Sequence, residues 1–236
     1  MDRKALFDFA RPKGGYTRTQ IIAGDAFADA LGLPKDAPAN DTAATIDPAK
    51  FAAWAPKAVP GAREALEAAA WKHGLNHPLV LAHWLGQNHH ESAGFSRLEE
   101  NLNYSAQRMT QVWPSRFPTI ASAQPYANNP QALANKVYGG RMGNTRPGDG
   151  WLFRGRGFKM ITGADNYRAL GYYERPDALK DVREAADASA RFFVSAGGVA
   201  LAMADDITGL TRKINGGLIG LDDRRLQTAR AKEIVR

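Results

Sequence analysis

Apolar residues recur at helical spacing in several stretches of the chain. The segment 62–72 carries alanine and leucine at intervals of three and four residues and is followed by Gly74, which is typical of a helix that ends there. A second helix is predicted from Pro78, a residue tolerated in the first helical turn, to about Ser92. The same spacing predicts further helices over 3–10, 18–31, 128–138 and 184–204.

Glycine and proline separate these predicted helices. The glycines between residues 139 and 157 predict a loop or a short hairpin, and the prolines between residues 34 and 60 predict a linker or a loosely packed arm. No internal repeat or heptad array is visible. We therefore expect a mainly α protein with at most a few short strands, in which residues 1–58 form an arm or a small lobe and residues 59–236 form the main domain.

The composition is that of an ordinary globular protein. The chain has 236 residues, of which 44% are hydrophobic and 23% charged, enough for one substantial core. Because cysteine is absent, disulfides and thiolate metal sites are excluded, and a metal would need histidine or carboxylate ligands. The amino terminus lacks the pattern of a signal peptide and no apolar run is long enough for a membrane span, so neither is predicted.

The net charge of +7 favours an anionic partner, although solubility alone would also explain it. Nucleic acid, a membrane surface and an anionic cell-wall polymer all fit this charge. The RGRG segment and the basic carboxy-terminal stretch RRLQTARAKEIVR are the candidate contacts for nucleic acid. No RNA-recognition, zinc-finger or helix-turn-helix pattern accompanies them, so nucleic acid is not the expected partner.

One acidic residue stands out on the helix predicted from Pro78. Glu91 lies seven residues after Trp84, so at about 100° per residue it falls within roughly 20° of the buried stripe. Partial burial and the negative end of the helix dipole are both expected to raise the pKa of Glu91, as a general acid requires. The alternative is that Glu91 only pairs with His89, His90, Arg97 or another base.

A metal site at the same histidines is the weaker interpretation. No second histidine follows His90 at the spacing of a zinc-binding HExxH helix, and the adjacent His89 and His90 point about 100° apart. His83 and His90 lie two turns apart on one face, too far to chelate an ion without further ligands. We predict neither a metal nor another cofactor.

Four segments carry a family resemblance. They are HHESAGFSRLEENLNYSA, ANKVYGGRMGN, GDGWLFRGRGFKMITGADNY and KINGGLIGLDDR, in this order over roughly residues 61–225. Together they resemble the chitinase-like glycoside hydrolases of family 19, in the form used by bacteriophage endolysins that cut peptidoglycan. The resemblance implies a lysozyme-like fold with a cleft between two lobes, a catalytic domain over 59–236, and a helical arm or a small wall-targeting lobe over 1–58.

The resemblance also implies a pair of catalytic carboxyl groups in an inverting mechanism. Glu91 matches the general acid, and Glu100 matches the base of the endolysin branch, with Glu99 as the neighbour that could be mistaken for it. Inversion needs carboxyl groups about 6.5–9.5 Å apart, which a chain that turns back through Gly94 can provide. If Glu99 and Glu100 lie in extended backbone, only one can enter the cleft, and the other should be a solvated surface charge.

Further positions match residues that line the family's sugar-binding cleft. They are Tyr104, Thr162, Asn166 and Asn215. Arg224 resembles the arginine of the GLxDR ending, which holds a carboxylate, although an ordinary salt bridge is an equal alternative. Asn215 before two glycines is also compatible with a simple tight turn. Met160 departs from the family pattern because it replaces the usual glutamine.

The function implied by the resemblance is hydrolysis of the β-1,4 bonds of peptidoglycan between N-acetylmuramic acid and N-acetylglucosamine. The expected protein is a monomeric endolysin that stays in the host cytoplasm until a holin-type partner releases it to the periplasmic wall, whose anionic envelope suits the basic surface. Two alternatives stay open: a chitinase acting on N-acetylglucosamine polymers, and a noncatalytic protein that binds the cell wall or nucleic acid.

Overall fold

The computed structural model of the protein describes residues 44–236. The predicted helices over 3–10 and 18–31 lie outside this range. The described helices are α1 (Pro48–Trp54), α2 (Ala62–Lys72), α3 (Pro78–Glu91), α4 (Ala106–Val112), α5 (Ile120–Ala123), α6 (Pro130–Tyr138), α7 (Asp149–Leu152), α8 (Ala164–Ala169), α9 (Val182–Ser195), α10 (Gly198–Met203), α11 (Ile207–Asn215) and α12 (Leu221–Ile234). Short 3-10 helices span Gln124–Tyr126 and Pro176–Lys180.

Strand structure in residues 44–236 is limited to three isolated bridges, which join Ile46 to Val235, Glu99 to Arg156, and Arg156 to Ile161. The prediction of a mainly α fold with at most a few short strands is therefore confirmed. Within the same range, no helix is long and apolar enough to cross a membrane.

The main core forms around α3. Leu81, Trp84 and Leu85 are fully buried there and pack with apolar residues of α2, α9 and α12. Helix α12 lies directly against α3, because a Cβ atom at Gly86 would come within 2.7 Å of the Thr228 Cα atom. Only glycine allows two helix backbones to approach so closely. This contact places the side chains of α12 beside the carboxyl end of α3.

A separate apolar cluster forms beyond the end of α3, where residues 102–138 bury their own aromatic and aliphatic side chains. Its buried members include Leu102, Met109, Phe117, Leu133 and Val137. A third cluster centres on Phe153, Tyr167 and Tyr172. The segment between residues 92 and 101 runs between the main core and the 102–138 cluster, so a cleft can open at their junction.

The helix predictions have mixed outcomes. Helix α2 has the predicted bounds, α3 ends one residue before Ser92, which caps it, and α6 begins after its cap Asn129. The prediction of one helix over 184–204 is wrong. Gly197 takes a left-handed conformation with φ of 74°, which ends α9 and lets α10 begin at a new angle.

The glycine-rich segment 139–157 is mostly turns, as predicted, but it contains the short helix α7. Part of the predicted amino-terminal arm is also described. Phe51 is buried in the main core, and the Lys50 ammonium group donates to the Glu233 carbonyl oxygen over 2.9 Å. Residues 44–58 thus pack on α12, while the boundary at residue 58 stays a prediction.

Candidate active site

Glu91 is the last residue of α3, and its carboxylate binds two cations. Its Oε1 atom accepts a hydrogen bond from Arg224 over 2.7 Å and one from the Lys159 ammonium group over 3.3 Å. Only 14% of the Glu91 side chain is exposed. The pairing alternative therefore holds in part, but the partners come from distant segments rather than from His89, His90 or Arg97.

Both cations are themselves held in place. Arg224, 2% exposed on α12, also donates to the Gln87 side-chain oxygen over 2.5 Å. Gln87 lies one turn before Glu91 on α3, so the arginine joins two positions of the same helix face. The Lys159 ammonium group lies 5.1 Å from the centre of the Phe192 ring. The Glu91 carboxylate is thus oriented by buried groups rather than by mobile surface side chains.

The predicted rise in the pKa of Glu91 is wrong for this arrangement. Burial does raise the pKa, but the charges and hydrogen bonds of Lys159 and Arg224 outweigh burial, so the pKa lies below its ordinary value. Burial likewise lowers the pKa of Lys159 by more than its contact with Glu91 raises it. The two cations that lower the pKa of Glu91 come from outside α3, so the pattern of that helix does not reveal them.

The chain reverses direction directly after α3. Ala93, Gly94 and Phe95 all have positive φ angles, of 52°, 73° and 57°. Such a run is costly for residues with side chains and persists only where the surroundings enforce it. Phe95 is fully buried in the main core, which supplies that constraint. The reversal directs the following residues back along the cleft.

Glu100 is held by neutral donors. The backbone N–H of Gly155 donates to its Oε1 atom over 2.5 Å, and the Tyr138 hydroxyl donates to its Oε2 atom over 2.7 Å. Burial and the neighbouring Glu100 carboxylate raise the pKa of Tyr138, so its hydroxyl remains a donor across the physiological range. Both carboxylate oxygens of Glu100 therefore have fixed partners.

Glu99 lies in a different environment. Its Oε2 atom accepts from Arg154 over 2.7 Å and from Arg156 over 3.3 Å, and both arginine side chains are almost completely buried. One third of the Glu99 side chain is exposed. The expectation that the second glutamate is a solvated surface charge is wrong, because Glu99 compensates two buried cations.

A cleft of about 660 Å³ brings the two predicted catalytic carboxyl groups together. Glu91 and Glu100 both line it, and Glu99 does not. The remaining lining residues are His90, Ala93, Arg97, Asn101, Asn103, Tyr104, Ser105, Arg108 and Met160. The cleft is thus a mainly polar groove in which one carboxyl group lies beside two cations and the other accepts neutral hydrogen bonds.

The predicted substrate-binding residues fall into two groups. Tyr104 lines the cleft, and a Cβ atom at Gly155 would lie 3.1 Å from Glu100 Oε1 and 3.2 Å from Thr162 Oγ1, so Thr162 lies beside the Glu100 carboxylate. Asn166 donates to the Thr162 carbonyl oxygen over 2.8 Å, and it does not itself line the cleft. Asn215, in contrast, is an exposed residue at the end of α11 and does not line the cleft.

The histidines of the opening motif have local partners. His90 contacts the Asp223 carboxylate over 2.6 Å, and His89 stacks on Trp54 with ring centres 4.4 Å apart. Within residues 44–236 no group of three or more histidine, aspartate or glutamate side chains could hold a metal ion. Of these two histidines, His90 lines the cleft and His89 does not.

Sequence reasoning missed Lys159, Gln87 and Tyr138 as site residues. The position of Gln87 could have been predicted from the sequence, since it lies four residues before Glu91 on the same helix face. No sequence pattern predicts the contacts of Lys159 and Tyr138, because these residues reach the carboxyl groups from other segments of the chain.

A protein of Haemophilus influenzae described as a glycosyl hydrolase family 19 domain-containing protein is similar to this chain. The two are 39% identical over 175 residues, which cover 72% of this chain and 86% of that protein. No family model matches the chain. The chain belongs to glycoside hydrolase family 19. This family 19 protein is therefore a glycoside hydrolase of the chitinase-like and lysozyme-like type, and its substrate is a glycan.

Proposed function

We propose that this family 19 enzyme is an endolysin that hydrolyses the β-1,4 bonds of peptidoglycan between N-acetylmuramic acid and N-acetylglucosamine, with inversion at the anomeric carbon. The observation that carries the proposal is that Glu91 and Glu100 line one cleft in contrasting surroundings. Inverting hydrolysis needs this contrast, because one carboxyl group must give a proton while the other takes one.

Glu91 acts as the general acid. It donates its proton to the glycosidic oxygen as the bond from that oxygen to the anomeric carbon breaks, and Glu91 itself is then a carboxylate. Lys159 and Arg224 stabilise that carboxylate, which is the product of the proton transfer. A glycan in the cleft would exclude water from Glu91, and since burial raises the pKa of this group, substrate binding favours the protonated acid.

Glu100 acts as the general base. With Oε1 and Oε2 held by Gly155 and Tyr138, it can accept a proton only in a fixed direction. It removes the proton from a water molecule that attacks the anomeric carbon on the face opposite the leaving group. Thr162 lies beside this carboxylate and is suited to orient the same water, with Asn166 supporting the Thr162 backbone. Tyr104 provides a ring on the wall against which a sugar can pack.

The net charge of +7 supports peptidoglycan rather than chitin, because the bacterial wall is anionic and chitin is neutral. We also propose, from the resemblance to phage endolysins, that the enzyme acts as a monomer and reaches the wall from the host cytoplasm with a holin-type partner. Arg224 belongs to the proposed set of substrate-binding residues through its hydrogen bond to Glu91, and Asn215, which does not line the cleft, belongs to it through the family resemblance alone.

Product analysis tests this function. Purified sacculi are digested, and mass spectrometry identifies the sugar at each new reducing end, while NMR of the first product formed reports its anomeric configuration. We expect N-acetylmuramic acid reducing ends of the α configuration. Activity on chitin oligomers together with none on sacculi would instead establish the chitinase alternative.

A further inference from the structure

Two of the residues that line the cleft are arginines without a carboxylate partner in the described part of the chain. Arg97 follows the reversal after α3, Arg108 lies on α4, and both side chains are exposed. Within residues 44–236 the guanidinium group of Arg97 makes no hydrogen bond or ion pair, and that of Arg108 donates only to the neutral Gln111 side chain over 3.0 Å. We refer to Arg97 and Arg108 as the arginine pair.

The acids of the cleft do not neutralise the arginine pair. Glu91 already binds two cations, Lys159 and Arg224. Glu100 binds the Tyr138 hydroxyl and a backbone N–H, and it forms no ion pair with any residue of the described range 44–236. The charges of the arginine pair are therefore not balanced by the carboxylates of the cleft. They are available to a ligand that enters the cleft.

Binding of a neutral glycan does not require unpaired guanidinium groups in the cleft. Sugar hydroxyl and acetamido groups can be bound by the amide and hydroxyl side chains that also line this wall, such as Asn101, Asn103 and Ser105. Guanidinium groups, in contrast, match carboxylates, with which they form paired charge-assisted hydrogen bonds. Peptidoglycan carries such carboxylates on the short peptide stems attached to every second sugar.

We propose that the arginine pair binds the free carboxylates of the peptide stems and so makes the cleft selective for peptidoglycan that carries its stems. This inference rests on the proposed function and specifies which part of the substrate the site recognises. The long arginine side chains suit this role, because they reach beyond the glycan strand to a substituent at its side.

The test compares variants on a charged substrate, on the same substrate with its charge removed, and on a neutral glycan without stems. Arg97→Gln, Arg108→Gln and the double variant are assayed on soluble uncrosslinked peptidoglycan strands, on the same strands with their stem carboxylates amidated, and on chitin oligomers. Arg183→Gln is the matched control, since Arg183 is an exposed arginine on α9 that does not line the cleft. Thermal unfolding of each variant verifies the fold.

We expect the double variant to raise KM for native strands by roughly tenfold, the combined effect of two exposed charge pairs, with kcat changed much less. Amidation of the stems should raise the KM of the unmodified enzyme by a similar factor. On amidated strands, the unmodified enzyme and the double variant should then have the same KM. Rates on chitin oligomers should be the same for both proteins. Added salt should weaken binding of native strands by the unmodified enzyme more than by the double variant.

Three outcomes would overturn the inference. An equal loss for Arg183→Gln would mean that general surface charge attracts the wall. An equal loss on amidated strands or chitin oligomers would mean that the arginine pair binds the sugars. An effect that persists after an amidase has removed the stems would assign the pair to the lactyl carboxylate that remains. Failure of the unmodified enzyme to cleave any peptidoglycan strand would refute the proposed function itself, which separates the two conclusions.

Discussion

Two walls of the cleft hold a glutamate side chain by different means. On the α3 wall, Glu91 lies among buried charges, with Arg224 and Lys159 as its partners. On the facing wall, Glu100 accepts hydrogen bonds from a tyrosine hydroxyl and a backbone N–H. The comparison teaches that folding can give one residue type either charged or neutral partners within a single cleft, and that the pKa of Glu91 follows its charged partners.

The largest expected effect is at Glu91. Replacement by glutamine removes the transferable proton and keeps the shape, so kcat should fall by about 10²–10⁴-fold. Release of reducing ends from peptidoglycan strands measures this loss. Arg225→Gln, which changes an exposed arginine one position after Arg224, serves as a control that should keep nearly full activity. Retained activity of Glu91→Gln would disprove the proposed acid.

The adjacent glutamates provide the next test. Glu100→Gln should lower kcat by about 10²–10³-fold with little change in stability, because it removes the proposed base. Glu99→Gln should instead lower the free energy of unfolding by about 1–3 kcal/mol, because Arg154 loses its carboxylate partner and Arg156 keeps only Asp177 as a carboxylate partner. Chemical denaturation and kinetics on the two variants measure both effects. The reverse pattern would assign the base to Glu99.

Tyr138→Phe should have a smaller effect on the Glu100 wall. The change removes one hydrogen bond to the Glu100 carboxylate and leaves the aromatic ring in place. We expect kcat to fall by roughly three- to tenfold with KM nearly unchanged, since a single hydrogen bond contributes about 1 kcal/mol. An increase in KM alone would indicate that Tyr138 binds the glycan rather than orienting the base.

Lys159→Met should change the pH dependence more than the maximal rate. Glu91 must be protonated to act as an acid, so activity falls as the pH rises through its pKa. Loss of Lys159 removes a charge that lowers this pKa, so the pKa rises and the alkaline limb of the kcat/KM profile moves to higher pH. Lys159→Arg keeps the charge and should leave the limb in place. An unmoved limb in Lys159→Met would show that Lys159 does not influence the proton of Glu91.

The spacing of apolar residues along the sequence predicted α2 and α3 but did not predict α12. Helix α2 has regular apolar spacing, and its predicted bounds are confirmed. Helix α12 was missed because much of its buried face is polar, with Arg224, Gln227 and Thr228 inside the protein. A buried polar face has no apolar periodicity, although it is the face that contacts α3 and reaches Glu91.

By itself, the sequence determined that Glu91 lies at the end of a helix and that a glutamate pair follows a glycine turn, because helix formation and chain reversal depend on neighbouring residues. Only the tertiary structure decided the surroundings of these glutamates. Arg224 lies 133 positions from Glu91 and Lys159 lies 68 positions from it, while Gly155 contacts Glu100 across 55 positions. Proton affinity depends on charges within a few ångströms, and folding brings these charges from distant parts of the chain, so the predicted direction of the Glu91 pKa shift was wrong.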